Sequence, residues 1–242
     1  MKKTIFILAM VLGISTLVNA QKKKTADSDG SSFYKPTSGF SAEVNFNPFN
    51  GGNIISINYL RARMFLNEGM ALRLGLELNS FSETQNAVFN PGTTNEIIEA
   101  TKNSFFIFGL HGGLEFHLPG TDKLSPYYGA ELGFSMKSAS TDITNQGGVD
   151  KKTLSCTGIW NDNTNAGYTR FTLNIFVGTD YYVAKHLYLG AELGFGLQST
   201  SYKDVTVISS LASVSTTSAT PGSSSFNLGA NFNSALRLGW SF

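Results

Sequence analysis

Residues 226–242 alternate between apolar and polar side chains for seventeen positions. One parity carries Phe226, Leu228, Ala230, Phe232, Ser234, Leu236, Leu238, Trp240 and Phe242. The other carries Asn227, Gly229, Asn231, Asn233, Ala235, Arg237, Gly239 and Ser241. Neighbouring side chains of a strand point to opposite faces, so the pattern predicts one long strand with a greasy and a polar side. Strands in soluble proteins usually run about 5–6 residues. A strand this tall, apolar on one face and ending on an aromatic, suits the wall of a transmembrane β-barrel.

The other end of the sequence points the same way. Lys2 and Lys3 precede an apolar stretch at 5–18, followed by the small-residue site Val18-Asn19-Ala20. This predicts a secretory signal peptide over 1–20, cut between Ala20 and Gln21. The apolar stretch is shorter than the roughly 20 residues of a spanning helix. Residues 21–37 read as a flexible periplasmic leader and 38–242 as one transmembrane β-barrel domain. Charged residues make up 14% of the chain, against roughly 25% in soluble domains. A formal charge of +1 gives no reason to expect a nucleic-acid partner. Cys156 is the single cysteine, which excludes an internal disulfide and reads as a free thiol in a loop.

Alternation marks seven more strands. The first sets Phe40, Ala42, Val44 and Phe46 against Ser41, Glu43, Asn45 and Asn47, and Asn50-Gly51-Gly52-Asn53 turns the chain. The second shows Ile55, Ile57 and Tyr59, then changes parity to Leu60, Ala62 and Met64 opposite Arg61 and Arg63, which calls for a β-bulge near Tyr59-Leu60. The third pairs Leu72, Leu74 and Leu76 with Arg73, Gly75 and Glu77, and the fourth sets Phe106, Leu110 and Leu114 against His111, Glu115 and His117. The fifth carries Leu132, Phe134 and Met136 with Glu131 and Lys137 behind them. The sixth carries Phe171, Leu173 and Ile175 with Asp180, and the seventh Leu189, Leu193 and Phe195 with Glu192.

Eight strands put both termini on one side, the arrangement of bacterial single-chain barrels. Segments 80–102, 138–167 and 200–225 read as long outer loops, with short turns opposite them, so both termini are expected in the periplasm. Within the last loop, the β-branched residues from Val205 to Ile208 are expected to extend the seventh strand. Gly129-Ala130-Glu131-Leu132-Gly133-Phe134 recurs as Gly190-Ala191-Glu192-Leu193-Gly194-Phe195, and Gly75-Leu76-Glu77-Leu78 is a looser copy. That spacing predicts a similar depth for Glu77, Glu131 and Glu192.

The fold expected is therefore all-β, an eight-stranded antiparallel up-and-down transmembrane β-barrel with a polar packed lumen. A lipocalin-like barrel with an apolar interior is the competing arrangement. The uncharged apolar parity argues against it, because an arginine facing lipid at mid-bilayer costs roughly 2–4 kcal/mol. The lumen then collects Glu43, Arg61, Arg63, Arg73, Glu77, Glu115, Glu131, Lys137, Asp180, Glu192 and Arg237, with His111 and His117. Carboxylates crowded in a narrow space need cationic partners, and Arg61, Arg73 and Arg237 are expected to bridge the glutamates. Eight strands leave just enough room for side chains to fill the interior, so a plug is expected rather than a conducting pore. Tyr59, Tyr127, Tyr128, Tyr181, Tyr182 and Trp240 read as interfacial girdles.

The run from Ile55 to Phe65, the following Ala71-Leu72-Arg73-Leu74-Gly75 and the terminal Leu236 to Phe242 resemble the eight-stranded barrels of the outer-membrane protein A type. The look is nearest to small Bacteroidota outer-membrane β-barrel proteins. The resemblance covers nearly the whole chain after the expected cut, and it implies that Trp240 and Phe242 form the signal read by the outer-membrane assembly machinery. Full-length outer-membrane protein A carries a peptidoglycan-binding domain after its barrel; none is expected here, and with it no cell-wall anchoring role.

No enzyme is expected. Catalysis needs a nucleophile, a base and an orienting group within reach, and His111, His117 and His186 have no serine partner of the lipid A deacylase kind. No cofactor or metal is expected either. His111, Glu115 and His117 share a face but read as polar packing, and the loop carboxylates Glu96, Glu99, Asp142 and Asp150 lack calcium-loop spacing. What remains is an integral barrel serving envelope integrity, or an accessory subunit of an outer-membrane complex. Its expected partners are lipid, the assembly machinery and other complex subunits, with outer loops (Trp160 among them) offering contact surface. The alternative is a narrow diffusion channel for ions or small solutes.

Overall fold

The computed structural model describes residues 39–46, 55–121, 123–146, 152–158, 166–211, 214–231 and 236–242. The expected signal peptide with its cut at Ala20 and Gln21, the leader, the Asn50–Asn53 turn, Trp160, Asp150 and Phe232 lie outside the described residues. Twelve strands and no helix are found within them: β1 (Gly39–Phe46), β2 (Ile55–Asn67), β3 (Met70–Phe89), β4 (Ile97–His117), β5 (Leu124–Gln146), β6 (Lys152–Thr157), β7 (Tyr168–Tyr182), β8 (Leu187–Tyr202), β9 (Val205–Leu211), β10 (Val214–Thr220), β11 (Ser224–Asn231) and β12 (Leu236–Ser241).

Every pairing is antiparallel, and eight strands close on themselves. The ring runs β1-β2-β3-β4-β5-β7-β8-β12, and β12 pairs back onto β1. Its stagger can be followed through the partners. Leu189 opposes Leu238, then Val44, Leu60, Leu76, Leu110, Phe134 and Phe171, and the path returns to β8 at Ser199, ten residues further on. Ten residues of ~3.3 Å set against eight spacings of ~4.8 Å imply strands tilted by about 40°.

The two faces separate by polarity. Leu74, Leu132, Ile175 and Leu193 point outward and are 55–65% exposed, whereas Arg73 and Glu131 are buried within the ring at 1% and 5%. An apolar interior of the lipocalin kind is thereby excluded.

The expected irregularity near Tyr59-Leu60 is present but Tyr59 turns the other way, and two further expectations need correction. The β1–β2 register shifts between Val44 and Asn45, because Val44 opposes Leu60 while Asn45 opposes Ser56. The irregularity thus falls on the N-terminal side of Leu60 and takes in Tyr59, which joins the inward parity of Arg61 and Arg63 instead of the outward one.

The two described parts of the long terminal strand, β11 and β12, do not share one register on β8. Asn231 opposes Gly194 and Arg237 opposes Gly190, so six steps along one chain run against four along the other. Two extra residues preserve parity, which is why the alternation alone does not reveal them.

The segments expected as loops are largely paired. β3 and β4 stay in register as far as Phe89 and Ile97, and β4 and β5 as far as Ile98 and Gln146. Beyond the ring, β6 pairs with the outer part of β5, β9 with β6, and β10 with β9. The residues from Val205 to Ile208 do not extend β8. The chain turns at Lys203-Asp204, where the Gly222 amide donates to Asp204 Oδ1 at 2.8 Å and the Lys203 amide donates to the Gly167 carbonyl at 2.8 Å, and β9 departs to join β6.

Candidate functional site

Alternation brings one set of charged side chains to the inside of the ring, and each of the eight ring strands supplies at least one: Glu43, Arg61 and Arg63, Arg73, Glu115, Glu131, Asp180, Glu192, and Arg237. All nine are at most 5% exposed. Ions removed from water must be compensated by close opposite charge, and here every carboxylate meets at least one guanidinium.

Glu192 is the most connected acid. Arg73 grips it with both terminal nitrogens, at 2.8 and 2.9 Å, and Arg237 Nη1 donates to it at 2.7 Å. Arg61 reaches the same carboxylate at 3.5 Å, and the Tyr127 hydroxyl donates to it at 3.2 Å. Arg73 turns its Nε to Glu131 at 2.6 Å and lies 3.3 Å from Glu115.

Arg63 is the second hub. Its guanidinium touches Glu43 at 2.9 Å, Glu115 at 3.0 Å and Asp180 at 2.5 Å, and it is 1% exposed. Arg61 and Arg237 close the circuit to Glu43 at 3.4 and 3.3 Å. Arg61, Arg73 and Arg237 all lie against glutamates, but Arg63, left out of the expected bridging set, meets three acids.

Glu77 stands apart from the residues around Arg73. It opposes Tyr59, whereas Arg73 opposes Arg63, so it stands four residues nearer the outer end of β3. Its side chain is 30% exposed and approaches His111 Nε2 at 4.0 Å. His111 Nδ1 lies 3.6 Å from Glu131. His117 points into the ring, with Nδ1 3.1 Å from the Ser125 hydroxyl and Nε2 3.5 Å from Glu115. No three His, Cys, Asp or Glu side chains among the described residues are arranged to hold a metal ion. Lys137 is also inward, with its ammonium 5.1 Å from the centre of the Phe105 ring.

The aromatic girdle needs revision. Tyr128, Tyr181 and Trp240 do face outward, and Trp240 stacks on His186 at 5.6 Å. Tyr127 and Tyr182 are buried inside instead, together with Tyr188 and Phe176. Tyr59 lies edge-on to His111 at 5.2 Å and beneath the Arg61 guanidinium at 5.5 Å. The Tyr188 hydroxyl donates to Glu43 at 2.9 Å and lies 3.0 Å from the Ser41 hydroxyl, and Tyr127 also bonds Arg237. Arg73 packs over the Phe176 ring at 4.0 Å.

These rings explain the interior glycines. A Cβ at Gly178 would lie 2.5 Å from the Tyr127 ring, one at Gly129 would lie 2.6 Å from Phe176, and Gly239 and Gly75 press equally close on Tyr188 and Tyr59. The signal for inward tyrosines was present in the sequence, since Tyr127 shares parity with Glu131, and Tyr182 with Asp180.

Compared with protein-family models, with curated proteins and with solved structures, the chain matches none.

Proposed function

We propose that this chain is an integral outer-membrane β-barrel whose ring sits in the bilayer, with its interior closed by the ion-paired cluster. It serves as a structural element of the envelope or as an accessory subunit of an outer-membrane complex. One observation carries the reading: the polarity of the ring is inverted relative to a water-soluble protein. The nine acids and arginines of the cluster are buried inside while Leu132, Ile175, Val177 and Leu193 are more than half exposed outside. Water would strip such a molecule of the hydrophobic contribution of its outer face, about 25 cal/mol for each Å² left wet. Hydrocarbon removes that penalty, and a closed ring leaves no unpaired edge where the ring strands meet.

The basic and then apolar composition of residues 2–20 fits export through the inner membrane. In this reading Trp240 and Phe242, 48% and 67% exposed, are the residues presented to the assembly machinery. Charged side chains at most 5% exposed inside the ring favour the structural role over the diffusion channel.

Membrane fractionation tests the location. The chain is expected in the outer-membrane pellet and to stay there through an alkaline carbonate wash, and its release into the supernatant would refute the proposal. Planar-bilayer recording tests the closed lumen, with no steady conductance expected from the purified chain.

A further inference from the structure

Of the chain's five arginines, four belong to the ion-paired cluster and one does not. Arg61, Arg63, Arg73 and Arg237 each meet two or more carboxylates. Arg170 of β7 shares the inward parity of Phe176 and Asp180 and is half-buried, yet among the described residues no carboxylate pairs with it. Its contacts are the Thr200 hydroxyl, 3.3 Å from Nε, and the face of the Tyr168 ring, 4.2 Å from the guanidinium carbon. These two contacts hold the guanidinium in place and leave both terminal nitrogens without a partner among the described residues. A cation drawn partly out of water calls for a compensating anion.

Strand pairing surrounds Arg170 with further donors. Ser135 and Thr200 oppose it on either side, at 4% and 0% exposed. The Thr200 oxygen accepts from Arg170 Nε and from Gln198 Nε2 at 3.4 Å, so its own proton points elsewhere, and no acceptor meets it among the described residues. Two residues further in on the same face, the buried Thr172 hydroxyl has no hydrogen-bond partner among the described residues. Lys137 opposes Tyr168 and is therefore the diagonal neighbour of Arg170 across the β5–β7 ladder, which brings a second cation to the same space. The acid in the row of Arg170 is Glu77, three strands away, and it turns toward His111 at 4.0 Å.

The space is a cup rather than a passage. Asn174, four residues from Arg170 and ~13 Å along β7, opposes Glu131, where the ion-paired cluster begins. An anion that enters beside Thr200 meets cations and hydroxyls first, and buried carboxylates beyond them.

We infer that Arg170 holds a phosphate group in this cup, with Thr200, Thr172 and Lys137 as its companions. The planar guanidinium offers its two terminal nitrogens to two oxygens at once. A carboxylate would be used up by that fork, whereas a phosphate keeps further acceptor oxygens for the hydroxyls and the ammonium. The site goes beyond the envelope role proposed above and depends only on the inside of the ring, so it stands apart from the bilayer.

Titration of the full chain in micelles of a neutral, phosphate-free detergent tests the site. The arginine Nε–H groups give one NMR signal each, and the signal lost in Arg170→Gln identifies Arg170. Inorganic phosphate, at ionic strength matched with chloride, is expected to shift that signal saturably and leave the other four in place. Arg170→Lys keeps the charge without the fork and is expected to bind at least about tenfold more weakly. It also serves for assignment if the glutamine variant does not fold. Lipid A added to the same micelles separates the two sources of phosphate. Saturation by inorganic phosphate assigns a soluble ligand, and a shift produced by lipid A alone assigns a headgroup reaching over the rim. An Arg170 signal that neither one moves overturns the inference, as does a parallel shift of all the arginine signals.

Discussion

The inside of the ring and the sheet of β6, β9 and β10 above it share an alternating backbone but are held by different forces. Inside, each arginine of the cluster meets two or more acids within 3.5 Å, and the side chains are almost wholly buried. In the outer sheet β10 is exposed at every position, and the side-chain bonds include those of Ser155 to Asp142 at 2.6 Å and Ser210 to Ser215 at 2.7 Å, both open to solvent. Where water is excluded, each polar group must be matched to a specific neighbour. Where water is present, backbone pairing suffices, and Ser and Thr serve almost interchangeably.

Removing a hub should expose this contrast most strongly. Arg63→Met leaves Glu43, Glu115 and Asp180 buried without one of their cations, and should cost about 3–5 kcal/mol of stability. Urea unfolding of the refolded chain in vesicles would report it, and a loss under about 1 kcal/mol would mean that water reaches the cluster.

Next come the glycines that make room for rings. Gly178→Val drives a branched side chain into Tyr127 and should cost about 1–3 kcal/mol. At Gly112 on the outer face a Cβ meets nothing within 4 Å, so Gly112→Val should leave the unfolding midpoint unmoved or raise it. Equal effects at the two sites would contradict the packing described for the interior.

Tyr188→Phe removes a donor to the Glu43 carboxylate while keeping the ring, and should cost about 1.5 kcal/mol in the same assay. Smallest of all, Ser215→Ala in β10 breaks an exposed hydroxyl contact and should stay within about 0.5 kcal/mol of the parent. A loss there as large as that at Tyr188 would show that the outer sheet is cooperative with the ring.

Much of the ring was legible because parity is local. Arg73, Glu131, Glu192 and Arg237 announce their inward face through Leu72, Leu132, Leu193 and Leu238 beside them, whatever strand they meet. Tyrosine was misassigned at Tyr59, Tyr127 and Tyr182 because its amphipathic ring suits an interface and a polar interior alike. The loops were misjudged for a related reason. Residues 80–89 lack strong hydrophobic alternation because both faces are exposed, yet they pair, as do residues 138–146, because a neighbouring strand continues alongside.

By itself the amino-acid sequence determined which face of each ring strand turns inward, since that follows from the identity of adjacent residues. Only the tertiary structure decided that Arg63 is a hub, that two residues are inserted between β11 and β12, and that β9 leaves β8 for β6. Each of these depends on the register between strands distant in the chain, and an even shift of register leaves the alternation unchanged.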